Sequence, residues 1–92
     1  MDRYQIIYTE QYNKRAARFL KKHPQIQKQY EKTLLLLERN PGHPSLRLHQ
    51  LSNKLQGIHS ISINIRYRIM LELLLVDKKI ILLDIGGHDL YN

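Results

Sequence analysis

Ser60-Ile61-Ser62-Ile63-Asn64-Ile65-Arg66-Tyr67-Arg68-Ile69-Met70-Leu71-Glu72-Leu73 is the stretch that decides the fold. Ile61, Ile63 and Ile65 alternate with Ser60, Ser62 and Asn64, and Tyr67, Ile69, Leu71 and Leu73 alternate with Arg66, Arg68, Met70 and Glu72. A period of two is the signature of a strand that buries one face. Two such strands back to back, with a turn over Asn64 to Arg66, form a hairpin even without an Asn-Gly signal. Asp77-Lys78-Lys79 reads as the next turn. Ile80 to Ile85 then runs without a break in apolar character, apart from Asp84. Such a run fits a strand covered on both faces or lying centrally in its sheet. Gly86-Gly87 ends it, and His88 to Asn92 is a tail.

Towards the N-terminus the period changes. Tyr4 to Tyr8 is short, β-branched and aromatic, and predicts one more strand. Thr9 can cap a helix that starts at Glu10, which places an acid in the first turn. Tyr12, Ala16, Phe19 and Leu20 mark one helix face, and Lys14, Arg15, Arg18, Lys21 and Lys22 mark the other. Pro24 stops this helix and suits the start of a second. Ile26, Tyr30, Leu34 and Leu37 carry that one to about Arg39, where Asn40-Pro41-Gly42-His43-Pro44 ends it. Residues 45–56, with Leu46, Leu48, Leu51 and Leu55, read either as an anchored loop or as a short helical turn. The expected fold is therefore α+β, in the order β-α-α-β-β-β, as one domain over residues 1–92. A helical hairpin covers one face of an antiparallel meander. If Ile61, Ile63, Tyr67, Ile69 and Leu71 face the helices, the opposite face displays Ser60, Ser62, Arg66, Arg68 and Glu72. Two arginines there make a phosphate platform.

Composition narrows the partners. The 92 residues contain 16 Leu and 11 Ile, so the core is aliphatic, and no Cys, so neither a disulfide nor a thiolate metal site is available. Absence of Cys fits a reducing compartment, and Met1-Asp2-Arg3-Tyr4 lacks the apolar run of a signal peptide, so the expected location is the cytoplasm. The net charge is +7. Residues 1–54 carry eleven basic and four acidic side chains, while residues 55–92 carry four of each. A basic half points to a polyanion, or to an acidic protein that masks it. The five His are not paired at ligand spacing on a helix, and no Gly-rich phosphate loop joins strand to helix. Neither a metal nor a cofactor is expected.

Leu55-Gln56-Gly57, Ser60-Ile61-Ser62-Ile63, Tyr67-Arg68-Ile69 and Ile81-Leu82-Leu83-Asp84-Ile85-Gly86-Gly87-His88-Asp89, in this order and spacing, resemble the RelE/ParE toxin superfamily. These are toxins of bacterial type II toxin–antitoxin pairs. The Ile-Gly-x-His-Asp ending is most similar to the branch of ribosome-dependent mRNA endonucleases.

That resemblance implies a chemistry. The 2′-hydroxyl attacks the adjacent phosphate, a base takes its proton, a cation stabilises the phosphorane, and an acid protonates the leaving 5′-oxygen. Arg68 matches the family's arginine after Tyr and takes the phosphate, which a guanidinium fork fits. Without the resemblance, Arg68 reads as a surface residue in a cross-strand ion pair with Glu72. His88 matches the tail histidine and takes the role of general acid, suited by an ordinary pKa of about 6.5. Asp89 matches the acid after that histidine and either orients it or caps a turn. Tyr91 matches the closing aromatic that stacks on a base, although only Asp89 and Leu90 separate it from His88 where the family has three residues. Ser60 and Ser62 stand where some members carry two lysines. Other members use histidines there, which makes His49, in the loop before the sheet, and His59, pointing opposite to Ser60, the candidates for the base. Lys54 and Arg66 add charge for RNA. The implied partners are a cognate antitoxin with acidic and apolar residues, the ribosome and mRNA. Two alternatives remain at this point: a gyrase-poisoning toxin on the same fold, which usually lacks the tail histidine, and a binding module without catalysis.

Overall fold

In the computed structural model the described residues are 3–51, 57–87 and 90. A strand β1 (Gln5–Tyr8) leads into helix α1 (Glu10–Lys22), and a 3₁₀ turn (Pro24–Ile26) into helix α2 (Gln27–Arg39). A second 3₁₀ turn (Pro44–Leu46) precedes strands β2 (His49–Gln50), β3 (Ile58–Ser62), β4 (Arg68–Leu74) and β5 (Lys79–Gly86). The sheet order is β1-β5-β4-β3-β2. β2 to β5 are antiparallel neighbours, whereas β1 lies parallel to β5 at the edge.

The sequence accounts for most of this locally. The Thr9 hydroxyl accepts the Tyr12 N–H at 3.1 Å and so caps α1. Such a cap is worth about 1 kcal/mol. Glu10 at the start and Lys21 and Lys22 at the end suit the helix dipole. In the β3–β4 turn the Asn64 carboxamide oxygen accepts the N–H groups of Arg66 (2.9 Å) and Tyr67 (2.8 Å). That Asx geometry closes the hairpin without a glycine.

The core lies between the helices and one sheet face. Tyr12, Leu37, Leu46, Ile61, Ile69, Leu71, Ile80 and Leu82 are almost wholly buried, with Ala16, Ile26, Tyr30, Ile63 and Ile85 close behind. Tyr12 and Tyr30 share a hydroxyl–hydroxyl hydrogen bond of 2.8 Å, which ties α1 to α2. Burial, then the bond to Tyr30, drives the Tyr12 phenol far above its usual pKa. Burial likewise raises that of Tyr30. Phe19, His23 and Tyr67 form an aromatic trio that pins the end of α1 to the β3–β4 turn.

Three features add to the sequence reading or correct it. Residues 45–50 hold a 3₁₀ turn and a two-residue strand, so His49 sits on an edge strand and not in a loop. The first strand is a parallel edge and stands outside the meander. The run Ile80 to Ile85 lacks alternation because Ile81, on the face away from the helices, is apolar too, and because the strand contains a bulge. Met70 pairs with Asp84 and Leu71 with Leu82, which leaves Leu83 over. The extra residue resets the parity, so Leu82 and Ile85 both face the helices. β5 also lies inside the sheet, between β1 and β4, as its apolar run suggested.

Candidate functional site

Paired residues on neighbouring strands point to the same side of a sheet. The face away from the helices can therefore be read from the register. One row across it is Ile7, Ile81, Glu72 and Ile58, all half-buried. A second is Met70, Ser60 and His49, and a third is Gly86, Arg68 and Ser62.

Arg68 opens β4, with Ser62 opposite it on one side and Gly86 on the other. Its guanidinium donates to the Ser62 hydroxyl at 2.9 Å. The alternative to a phosphate was an ion pair with Glu72, whose side chain lies instead beside Gly57. The bond to Ser62 fixes the direction of the guanidinium and leaves its charge unneutralised by that partner. Gly86 contributes no side chain between Arg68 and Gly87, from which the chain continues to His88.

Ser60 and Ser62 are not displayed as expected. Ser60 is 0% exposed and Ser62 is 7% exposed. The hydroxyl of Ser60 is buried and has no hydrogen-bond partner among the described residues. A lysine's role is closed to it by position as well as by charge. His49 is opposite Ser60 and exposed, on the same face as Arg68. Two strand spacings and two residues of rise separate their Cα atoms, about 12 Å in all. A phosphate group can lie between two such side chains. His59 pairs with Leu71 and Gln50 and so belongs to the other face, as its parity predicted. Its Nδ1 donates to the Gly57 carbonyl at 2.9 Å, which leaves the lone pair of a neutral ring on Nε2. The structure thus brings His49 and Arg68 together and sets His59 apart. Lys54, His88, Asp89 and Tyr91 lie outside the described residues.

Two grooves flank the β3–β4 turn. One, of about 410 Å³, is lined by Ile65, Arg66, Tyr67 and Gly87. The other, of about 170 Å³, is lined by Ser45, Arg47, Ser62, Ile63, Asn64 and Ile65. Ile65 separates them and is 87% exposed. A third groove, of about 330 Å³, runs along the basic face of α1 past Arg15, Arg18 and Lys22. There Asp84 holds Arg15 at 3.0 Å. Sequence reasoning missed Arg47, because a basic residue after Pro-Ser-Leu carries no signal of its surroundings. Among the described residues no three His, Cys, Asp or Glu side chains gather as metal ligands, and no helix is long and apolar enough to cross a membrane.

No family model matches the chain, and no curated protein matches it. Solved structures do resemble it. The Escherichia coli DinJ–YafQ toxin–antitoxin complex contains a chain 20% identical, with a TM-score of 0.74 over 95% of this chain and 94% of that one. The YoeB–YefM complex from Staphylococcus aureus gives 20% identity and a TM-score of 0.69 over 95% and 99% of the two chains. A YoeB/ParE toxin from Agrobacterium tumefaciens gives 10% identity and 0.72 over 91% and 98%. At these identities the likeness concerns the fold, and over nearly its whole length this chain has the α+β fold of the RelE/ParE-type toxins.

Proposed function

We propose that this chain is the toxin of a type II toxin–antitoxin pair and acts as a ribosome-dependent mRNA endonuclease in the cytoplasm. The observation that carries the reading is Arg68. It is held by a nearly buried serine on the sheet face that the helices leave free, next to the glycine pair that leads to His88. Arg68 takes the scissile phosphate and stabilises the charge that develops as the 2′-hydroxyl attacks. His49 takes the proton of that hydroxyl, and His88 returns one to the 5′-oxygen. Asp89 orients His88, and Arg66 lies in the groove towards Gly87, where RNA leaving Arg68 would pass. Tyr91 and Lys54 supply stacking and charge. The steps need no metal, since each proton and charge has a side chain assigned to it.

The proposed antitoxin covers the same face. Ile7, Ile81 and Ile58 form a half-buried apolar row there, while α1 presents Lys14, Arg18, Lys21 and Lys22 in the open. A segment with both apolar and acidic residues satisfies both. Solved relatives in this fold are found in complexes with DinJ and YefM.

The test is induced expression followed by primer extension on a translated mRNA. Wild-type protein should produce cuts within codons, and His88→Ala should slow single-turnover cleavage on programmed ribosomes by about 10²-fold or more with affinity kept. Intact mRNA together with inhibited gyrase supercoiling would point to the gyrase-poisoning alternative instead.

A further inference from the structure

We infer that Arg47 is a second phosphate anchor, which grips the RNA backbone beside the bond that Arg68 attends. The inference rests on the endonuclease reading and adds to it a residue, a cleft and a ligand group.

Three observations meet at this place. The first is the cleft of about 170 Å³ between the Pro44–Leu46 turn and the β3–β4 turn. It is several times the roughly 30 Å³ that one water occupies in the liquid, so a phosphodiester group fits. The second is its wall. Ser62 lines the cleft and is also the residue that accepts the Arg68 guanidinium at 2.9 Å. A hydroxyl that accepts one bond keeps its own proton free to donate. Arg47 and Ser62 are thus two donors on one small cavity, and Arg68 stands behind the second. Ser45 offers no proton there. The His43 Nδ1 accepts its backbone N–H at 3.1 Å, so that nitrogen carries a lone pair, and the Ser45 hydroxyl at 2.9 Å donates to it as well.

The third observation is the backbone of Arg47. It has φ 50° and ψ 47°, the left-handed region, at the end of the 3₁₀ turn. Glycine or asparagine is the usual residue in that conformation, and a long side chain there is strained. The turn therefore gains nothing from arginine as a backbone unit. What arginine adds is a long, exposed cationic side chain on a residue that lines the cleft. Strain that local structure does not reward is a mark of a functional position.

The ligand class emerges from the lining. Two donors and, among the described residues, no carboxylate at the cleft favour an anion, and Ser62, which the cleft shares with Arg68, lets one RNA strand reach both arginines. Ile65, exposed at the cleft's rim, offers an apolar surface for a base of that strand.

Glycine separates the two roles of this position, because it relieves the strained backbone while deleting the guanidinium. Arg47→Gly should unfold at the same temperature as wild type or higher. In cleavage of mRNA on programmed ribosomes, its half-saturating concentration should rise about tenfold, the effect expected of removing one charged hydrogen-bond partner, with the maximal rate little changed. The slope of log affinity against log salt should fall by about 0.7, as when a single-stranded ligand has one phosphate fewer neutralised. Arg47→Asn, which also tolerates the left-handed backbone, should behave alike, and Arg47→Lys should restore the salt slope. Wild-type protein that cleaves normally beside an Arg47→Gly variant with unchanged half-saturation and salt slope overturns this inference alone. Wild-type protein that leaves mRNA intact overturns the endonuclease reading and this inference with it.

Discussion

The two faces of the sheet are built from the same strands and do different work. Towards the helices, Ile61, Ile69, Leu71, Ile80 and Leu82 are wholly buried and their neighbours are other apolar side chains. On the opposite side, Ile7, Ile58, Ile81 and Glu72 are half-exposed, two serines are buried among them, and Arg68 stands at one end. One face stores stability, at about 25 cal/mol for each Å² of apolar surface removed from water. The other orients a cation through a neutral serine hydroxyl, a bond that does not itself cancel the charge, and so holds binding capacity in reserve. Single substitutions on adjacent residues of one strand should therefore have effects of different kinds.

The sharpest break of that contrast uses Leu82 and Ile81. Leu82→Ala removes a fully buried side chain and should cost about 2–5 kcal/mol of stability in denaturant titrations. Ile81→Ala, on the other face, should cost less than half as much. Equal losses would mean that the second face is as closed as the first. Arg68→Ala comes next. Cleavage should fall by about 10²–10³-fold, the usual effect of losing one donor to developing charge, while the melting temperature barely moves. Arg68→Lys should recover only part of the rate, because a point charge lacks the guanidinium fork. A folded Arg68→Ala with normal cleavage would remove the reason for assigning chemistry to this face.

The core itself contains one polar element, and it should respond to pH. Tyr12→Phe leaves the Tyr30 hydroxyl unpaired and should cost about 1–3 kcal/mol, whereas the double change to Phe should cost less than the single one. Both phenols hold their protons to higher pH in the folded state than in the unfolded one. Above the unfolded tyrosine value of about 10 the folded state then binds more protons, so stability is full below that pH and declines as pH rises through it. Equilibrium unfolding followed from pH 8 to 11 should show that decline in wild type and less of it in the double variant. The smallest effect concerns Ser60. Its buried hydroxyl has no partner among the described residues, so Ser60→Ala should leave stability unchanged or raise it by about 1 kcal/mol, with cleavage intact. A loss of cleavage would restore Ser60 to the RNA contacts.

Sequence and tertiary structure divided the information along physical lines. Whatever depends on a period or on a local hydrogen bond was legible in advance. The alternation through Ser60 to Leu73 gave the hairpin, the i, i+4 spacing of Tyr12 and Ala16 gave the buried stripe of α1, and Thr9 and Asn64 acted as cap and turn through atoms a few residues away. The parity that put His59 and Ser60 on opposite faces was equally local. Positions that depend on what another segment brings were not legible. Ser60 and Ser62 look displayed in a strand of period two, yet β2 and β4 close in on either side of Ser60, and Arg68 of β4 lies against Ser62. Two residues of β2 are too few to show alternation, so His49 could not be read as part of the sheet. The bulge at Leu83 is a mismatch between two strands and exists in neither alone. Arg47 lies in a cleft made by two turns fifteen and more residues apart, with a backbone conformation imposed by the turn before it. Short-range geometry is written into neighbouring residues, whereas burial, register and the walls of a cleft are set by pairs that only folding brings into contact.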